Sequence, residues 1–199
     1  MKKLVIASSN PGKLREIAHA LEPLAIEVLP QSAFNVPEAE EPHATFIENA
    51  LAKARHASRR CGLPALADDS GICVDALNGE PGVHSARYAG EPVSDERNNR
   101  KLLATLAGET NRKAHYYCVI ALVRHAEDPQ PLIAEGEWHG EILRAPRGAS
   151  GFGYDPLFLD PELGRSGAEL ALEEKNRVSH RGGALTRLVA RLRERGVVL

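Results

Sequence analysis

Residues 132–143 read LIAEGEWHGEIL, a stretch in which side chains suited to a core alternate with side chains suited to water. A period of two belongs to an extended strand, so the chain must build a sheet with at least one covered face. Residues 113–124 alternate in a similar way, and the Pro-rich residues 126–131 between them suit a hairpin loop. Helical spacing surrounds this pair. Leu14, Ile17, Ala18 and Leu21 follow the short apolar run Leu4, Val5, Ile6 and Ala7, which reads as a buried strand. Ile26–Leu29 is a second short strand, and Thr45 with Glu48 forms a capping box for a helix that ends near Cys61, ahead of Gly62. Pro64–Ala67 reads as a strand ending at Asp68-Asp69-Ser70-Gly71, with Ile72–Val74 placed to pair with it. Ser94 caps a helix that buries Leu102, Leu103 and Leu106, and a last helix over about 182–195 carries Leu185, Leu188, Val189 and Leu192. Strands interspersed with helices predict a mixed α/β sheet with helical flanks, a single domain over 1–199, with a cleft between two lobes as the natural binding place.

The composition excludes several classes of function. A formal charge of −2 argues against a general binder of nucleic acid or anionic membrane, so any anion site must be local. The apolar run after Lys2 and Lys3 is too short for a signal peptide and no stretch approaches a membrane span, so a cytoplasmic protein is expected. Cys61, Cys73 and Cys118 show no CxxC spacing, and small apolar filler is their expected role.

The groups with chemical potential lie mostly in loops and at element ends. Ser8-Ser-Asn-Pro-Gly-Lys13 joins the first strand to the first helix: Asn10 suits the N-cap and Pro11 the first helical position. Free amides there, with Lys13 beside them, would attract a phosphate. A capped helix with a solvated lysine reads the same stretch at least as well, since neither GxxxxGK[ST] nor GxGxxG is present. Asp68 and Asp69 end a strand and point to opposite faces, so only one should serve a shared site; a carboxylate there binds Mg²⁺ or orients water, or else both cap an Asx-turn. Glu38, Glu40 and Glu41 form an acidic loop, either solvated or the source of a second carboxylate. Lys53 alone is not distinctive. In Ser150-Gly-Phe-Gly-Tyr-Asp-Pro156 two glycines let backbone approach a flat ligand, with Phe152 or Tyr154 offering an aromatic face. His180 and Arg181 precede the last helix, where cations oppose the dipole and call for a compensating ligand, with Lys175 just upstream.

SSNPGK, FIENALAKA, LADDSG, PGVHSARYAG, SGFGYDP and EEKNRVSHRG occur in this order across nearly the full chain. Together they resemble the inosine triphosphate pyrophosphatase family of bacterial type. The resemblance implies an elongated mixed α/β fold of two lobes around a central cleft and a homodimer. It also implies Mg²⁺-dependent hydrolysis of atypical purine nucleoside triphosphates (ITP, dITP, XTP) to the monophosphate and pyrophosphate. By the same resemblance Ser8, Ser9, Asn10, Pro11, Gly12 and Lys13 hold the triphosphate, and Lys53 is a second phosphate cation. Asp69 is the catalytic carboxylate and a metal ligand, with Ser70 a neighbouring substrate contact and Glu40, in preference to Glu41, a further metal ligand. Phe152, Gly153, Tyr154 and Asp155 form the base-side loop, and Lys175, His180 and Arg181 complete the nucleotide contacts; Arg181, a donor only, would accept O6 of hypoxanthine and reject the amino group of adenine. Two other readings compete: a house-cleaning pyrophosphatase for modified pyrimidine or methylated guanine nucleotides, as in the septum-formation-inhibitor-like family, and a nucleotide sensor without turnover. The His-Arg pair and the SGFGYDP loop speak against the first and Asp69 against the second. A phosphotransferase would need the phosphate loop that the chain lacks.

Overall fold

A computed structural model describes residues 2–196. The strands are β1 (Lys2–Ile6), β2 (Ile26–Pro30), β3 (Ala65–Val74), β4 (Lys113–Val123), β5 (Leu132–Ile142), β6 (Phe158–Asp160) and β7 (Arg165–Ser166), and they form one sheet in the order β2-β1-β3-β4-β5-β6-β7. β1 runs parallel to β2, with Leu4 opposite Val28, and parallel to β3, with Val5 opposite Ala65. β6 is antiparallel to β5 and to β7. The sheet is therefore mixed, and it is flanked by α1 (Pro11–Leu21), α2 (Phe46–Cys61), α3 (Asp95–Thr105), α4 (Leu172–Val178) and α5 (His180–Glu194).

Two compact units share this sheet. The first comprises residues 2–69, 118–136 and 181–196, the second 70–117 and 137–180. In the first, Leu4 and Ile6 of β1 pack with Ile17 and Leu21 of α1 and with Leu188 and Leu192 of α5 in a fully buried core, the side chains that helical spacing had singled out. In the second, Ile72, Leu102, Leu106, Trp138 and Phe158 form a separate core, and Trp138 satisfies its buried indole N–H on Asp160 Oδ2 at 2.8 Å. A Cβ at Gly140 would lie 2.3 Å from the Leu159 carbonyl oxygen, so only glycine lets β5 approach β6 there.

Two expectations need correction. β3 does not stop at Ala67: it continues through Asp68, Asp69, Ser70 and Gly71 to Val74. Buried carboxylates usually break a strand, but cations from other segments neutralise these two. α5 begins at His180 and not at Gly182, and a helix that the sequence did not signal, α4, precedes it; the extended backbone of Ser179 separates the two. β6 pairs only with the far end of β5, and Arg191 and Arg187 donate Nη1–H to the carbonyls of Ile133 and Glu135, covering the open part of that strand.

Candidate active site

The candidate site residues lie in two constellations, one in each unit. In the first unit, β1 leads into α1 through Ser8–Asn10. Asn10 Oδ1 accepts from the amides of Gly12 (2.8 Å) and Lys13 (3.2 Å), and Ser8 Oγ accepts from the Asn10 amide at 3.2 Å. The helix start is thus capped by its own asparagine, and the amides of Gly12 and Lys13, expected to face a phosphate, already have a partner. Ser9 donates to Glu38 of the acidic loop. What the turn leaves for an anion is the Lys13 ammonium, 2.9 Å from Asp68 Oδ2.

Asp68 is the hub of a buried ionic network. Besides Lys13 it accepts from Arg181 Nε at 3.2 Å, and Arg181 Nη1 reaches Glu16 Oε2 at 2.7 Å. Asp68 and Arg181 are 2% and 3% exposed. Burial pushes the Asp68 carboxyl upward, but Lys13, Arg181 and Lys53 outweigh it and hold it well below the usual carboxylate range. The charge that Arg181 places in the first turn of α5 is therefore compensated within the protein, by Asp68 and Glu16. Glu16 was not anticipated; its signal was a carboxylate on the buried stripe of α1, next to Ile17.

Asp69 points the other way along β3, as strand geometry requires. α2, started by Thr45 with its Oγ1 accepting from the Glu48 amide, carries Lys53 to a position where Nζ is 2.9 Å from Asp69 Oδ1 and 2.6 Å from Glu41 Oε1. The acidic loop thus delivers Glu41 to this point, whereas Glu40 is exposed. Side chains of adjacent residues diverge, and in this structure it is Glu41 that turns toward Lys53. Asp69 Oδ2 is buried and has no hydrogen-bond partner among the described residues. Burial, only partly countered by Lys53, raises the Asp69 carboxyl above its ordinary value; the Lys53 ammonium is held upward by Asp69, Asp68 and Glu41 against its own burial. A carboxylate oxygen lacking a donor, beside a second carboxylate, is a hard oxygen set that suits Mg²⁺, which takes one or two protein carboxylates and completes its shell with water and phosphate oxygens. Among the described residues no group of three or more His, Cys, Asp or Glu side chains could hold a metal by itself.

In the second unit, which Ser70 begins, the SGFGYDP loop is organised by Asp155. Its carboxylate is buried, accepts from the Phe152 amide at 2.9 Å and receives Lys175 Nζ at 2.5 Å. A Cβ at Gly151, whose φ is +80°, would stand 2.1 Å from Asp155 Oδ2, so this glycine makes room for a carboxylate of the protein rather than for a ligand. Tyr154 is likewise buried, with its hydroxyl donating to the Ser85 carbonyl at 2.8 Å, and its ring belongs to the core. Tyr154 and Asp155 both make contacts that shape the loop. Phe152 is the half-buried aromatic, with Lys175 Nζ 4.8 Å from its ring centroid. His180 stacks on Tyr116 with centroids 4.6 Å apart and planes 8° from parallel. Gly153 is held from α3 by Asp95 and Asn99, which sequence reasoning did not single out as site residues.

A model of the family described as the Ham1 family matches residues 4–191. This chain belongs to the Ham1 family. Among its Ham1 relatives, the dITP/XTP pyrophosphatase of Nitrosomonas europaea is 66% identical over 198 residues, spanning 100% of this chain and 98% of the relative. A HAM1 protein from Coxiella burnetii superposes with a TM-score of 0.93 at 50% identity, covering 98% of this chain and 100% of that one. The Ham1 protein of Staphylococcus aureus does so at 0.88 and 40%, with 98% and 100% coverage. The mixed sheet with flanking helices is thus the Ham1 fold, and the resemblance drawn from the ordered motifs holds.

Proposed function

We propose that this Ham1 protein hydrolyses ITP, dITP and XTP to the nucleoside monophosphate and pyrophosphate, removing them from the nucleotide pool. The observation that carries the reading is the Asp69–Lys53 pair with Glu41: a buried carboxylate with an oxygen to spare, beside a cation and a second carboxylate. The names of its relatives, dITP/XTP pyrophosphatases, support the substrate class.

In this reading Lys13 and Lys53 bind the triphosphate oxygens, with Ser8 to Gly12 shaping the turn that presents Lys13 and Ser70 contacting the substrate beside Asp69. Asp69 orients a water in line with the α-phosphorus and takes its proton as the new P–O bond forms. The bond from the α-phosphorus to the bridging oxygen breaks, and pyrophosphate leaves with the bonding pair, its charge met by the two lysines. Asp69, with Glu40 or the adjacent Glu41, would hold Mg²⁺, which would supply charge neutralisation on phosphate oxygens. Phe152 gives the base an apolar face, and Lys175, His180 and Arg181 provide its polar contacts. Lys175 and Arg181 are donors only; either suits the O6 acceptor of hypoxanthine or xanthine, and neither suits the amino group of adenine. The protein works as a homodimer in the cytoplasm, with no nucleic-acid or membrane partner. Among the described residues no helix is long and apolar enough to cross a membrane.

Chromatographic product analysis with Mg²⁺ and ITP, dITP, XTP, GTP, ATP and UTP in separate reactions tests the reading. Monophosphate and pyrophosphate from ITP and XTP, with ATP and GTP nearly untouched, is the expected result. Diphosphate and orthophosphate, a preference for UTP, or binding without turnover would overturn it.

A further inference from the structure

The Gly153 peptide groups are gripped on both sides by one helix. Gly153 N–H donates to Asp95 Oδ2 at 2.7 Å, and Gly153 C=O accepts from Asn99 Nδ2 at 2.8 Å. Asp95 and Asn99 are four residues apart on α3, and so lie one above the other on the same face. The helix is itself fixed to the rest of its unit by the neighbouring Asn98. This buried side chain accepts from the Ala89 amide at 2.7 Å and donates to the Ala86 carbonyl at 2.8 Å, while Leu102 and Leu106 anchor the far end in the core. The residue so gripped adjoins Phe152, and its φ of +62° belongs to a backbone that a β-carbon would strain. Asn99 Oδ1 is buried with no hydrogen-bond partner among the described residues, so the contact to Gly153 is the hydrogen bond this side chain makes at the cost of an unsatisfied acceptor.

We infer that Asp95 and Asn99 are positioning residues for nucleotide binding: by holding Gly153 at both its N–H and its C=O they fix the Phe152 ring against which the base packs. The inference rests on the proposed pyrophosphatase function. The base is remote from the bond being cleaved, so a loosened ring weakens ground state and transition state alike, and the loss is read in KM with kcat retained.

Polarity separates the roles of these two side chains. Asp95→Asn keeps an acceptor oxygen for the Gly153 amide, whereas Asn99→Asp turns an acceptor toward the Gly153 carbonyl and replaces attraction by repulsion. Steady-state kinetics with ITP and Mg²⁺ should show Asn99→Asp and Asp95→Ala each raising KM by about tenfold or more with kcat within about threefold of the parent, and Asp95→Asn, which keeps the acceptor, raising KM less than Asp95→Ala. Asn99→Ala, which removes the hydrogen bond and the unsatisfied acceptor together, is the second variant should Asn99→Asp fail to fold; it should raise KM severalfold with little change in melting temperature. An unchanged KM in a folded Asn99 variant, or a fall in kcat at constant KM, overturns the inference alone. A parent protein that turns over none of the purine triphosphates overturns the proposed function and this inference with it.

Discussion

Lys53 Nζ lies 2.9 Å from Asp69 Oδ1, and in this pair a helix cation meets a carboxylate whose other oxygen has no hydrogen-bond partner among the described residues. Its neighbour on β3 differs in its cations: Lys13 at 2.9 Å and Arg181 at 3.2 Å both meet Asp68 Oδ2 and hold that carboxyl below its ordinary value, whereas burial raises Asp69. Two adjacent residues of one type therefore stand in opposite electrostatic conditions, and their variants should behave in opposite ways.

Asp69→Asn should abolish most turnover, by about 10²- to 10⁴-fold, while leaving the melting temperature unchanged or raised. Burial lifts the folded carboxyl above its unfolded value, so its ionised form weakens the fold at neutral pH; a neutral amide removes that penalty. Calorimetry beside product analysis checks both halves. Wild-type turnover in this variant would remove Asp69 from the chemistry.

Asp68→Asn should instead lose about 3–5 kcal/mol of stability, because Arg181 and Glu16 stay buried with their hub neutralised. The folded carboxyl lies below its unfolded value, so the stability it contributes is present above about pH 4 and is lost as pH falls further. Urea titrations of both proteins across the acid range should show the gap between them narrowing toward low pH. A gap constant with pH would mean that packing, not charge, explains the loss.

Lys53→Met tests the metal assignment. Without the ammonium, Glu41 and Asp69 lose their shared counter-charge, and the variant should melt lower than the parent in EDTA. Millimolar Mg²⁺ should then raise its melting temperature by more than it raises that of the parent. Equal shifts in the two proteins would place the cation elsewhere.

Gly151→Ala should destabilise by about 1–3 kcal/mol, from a left-handed backbone and a β-carbon that meets Asp155 Oδ2. Displacing that carboxylate also frees Lys175, so the Michaelis constant for ITP should rise. Gly153→Ala meets nothing within 4 Å and should lose only about 1–2 kcal/mol, from its positive φ. Thermal melts of the two variants side by side distinguish collision from backbone strain.

Local signals in the sequence translated well into structure. Asn10 before Pro11, Thr45 with Glu48, Ser94 ahead of α3 and the alternation of residues 113–124 and 132–143 each depend on residues a few positions apart, and each marks an element of the fold. Partnerships across the chain were not legible. The Arg181 network joins α5 to Glu16 and Asp68, more than a hundred residues away, and only the folded sheet places them together. The motif SGFGYDP was visible as a motif, yet the conformation of its loop depends on Lys175, Ser85, Asp95 and Asn99, which lie far from it in the sequence or carry no local signal that points to it. Glu40 and Glu41 could not be separated because a proline-flanked loop has no periodicity to set the phase of its side chains.

Arg187 and Arg191, whose guanidinium groups cover the open flank of β5, follow the carbonyls they meet by 52 and 58 residues. On the ribosome, then, a strand with exposed carbonyls is synthesised well before the side chains that shield it. A message truncated ahead of codon 187 would encode a product carrying every residue proposed for catalysis and a sticky edge besides. Such fragments should accumulate as aggregates rather than as weakly active enzyme.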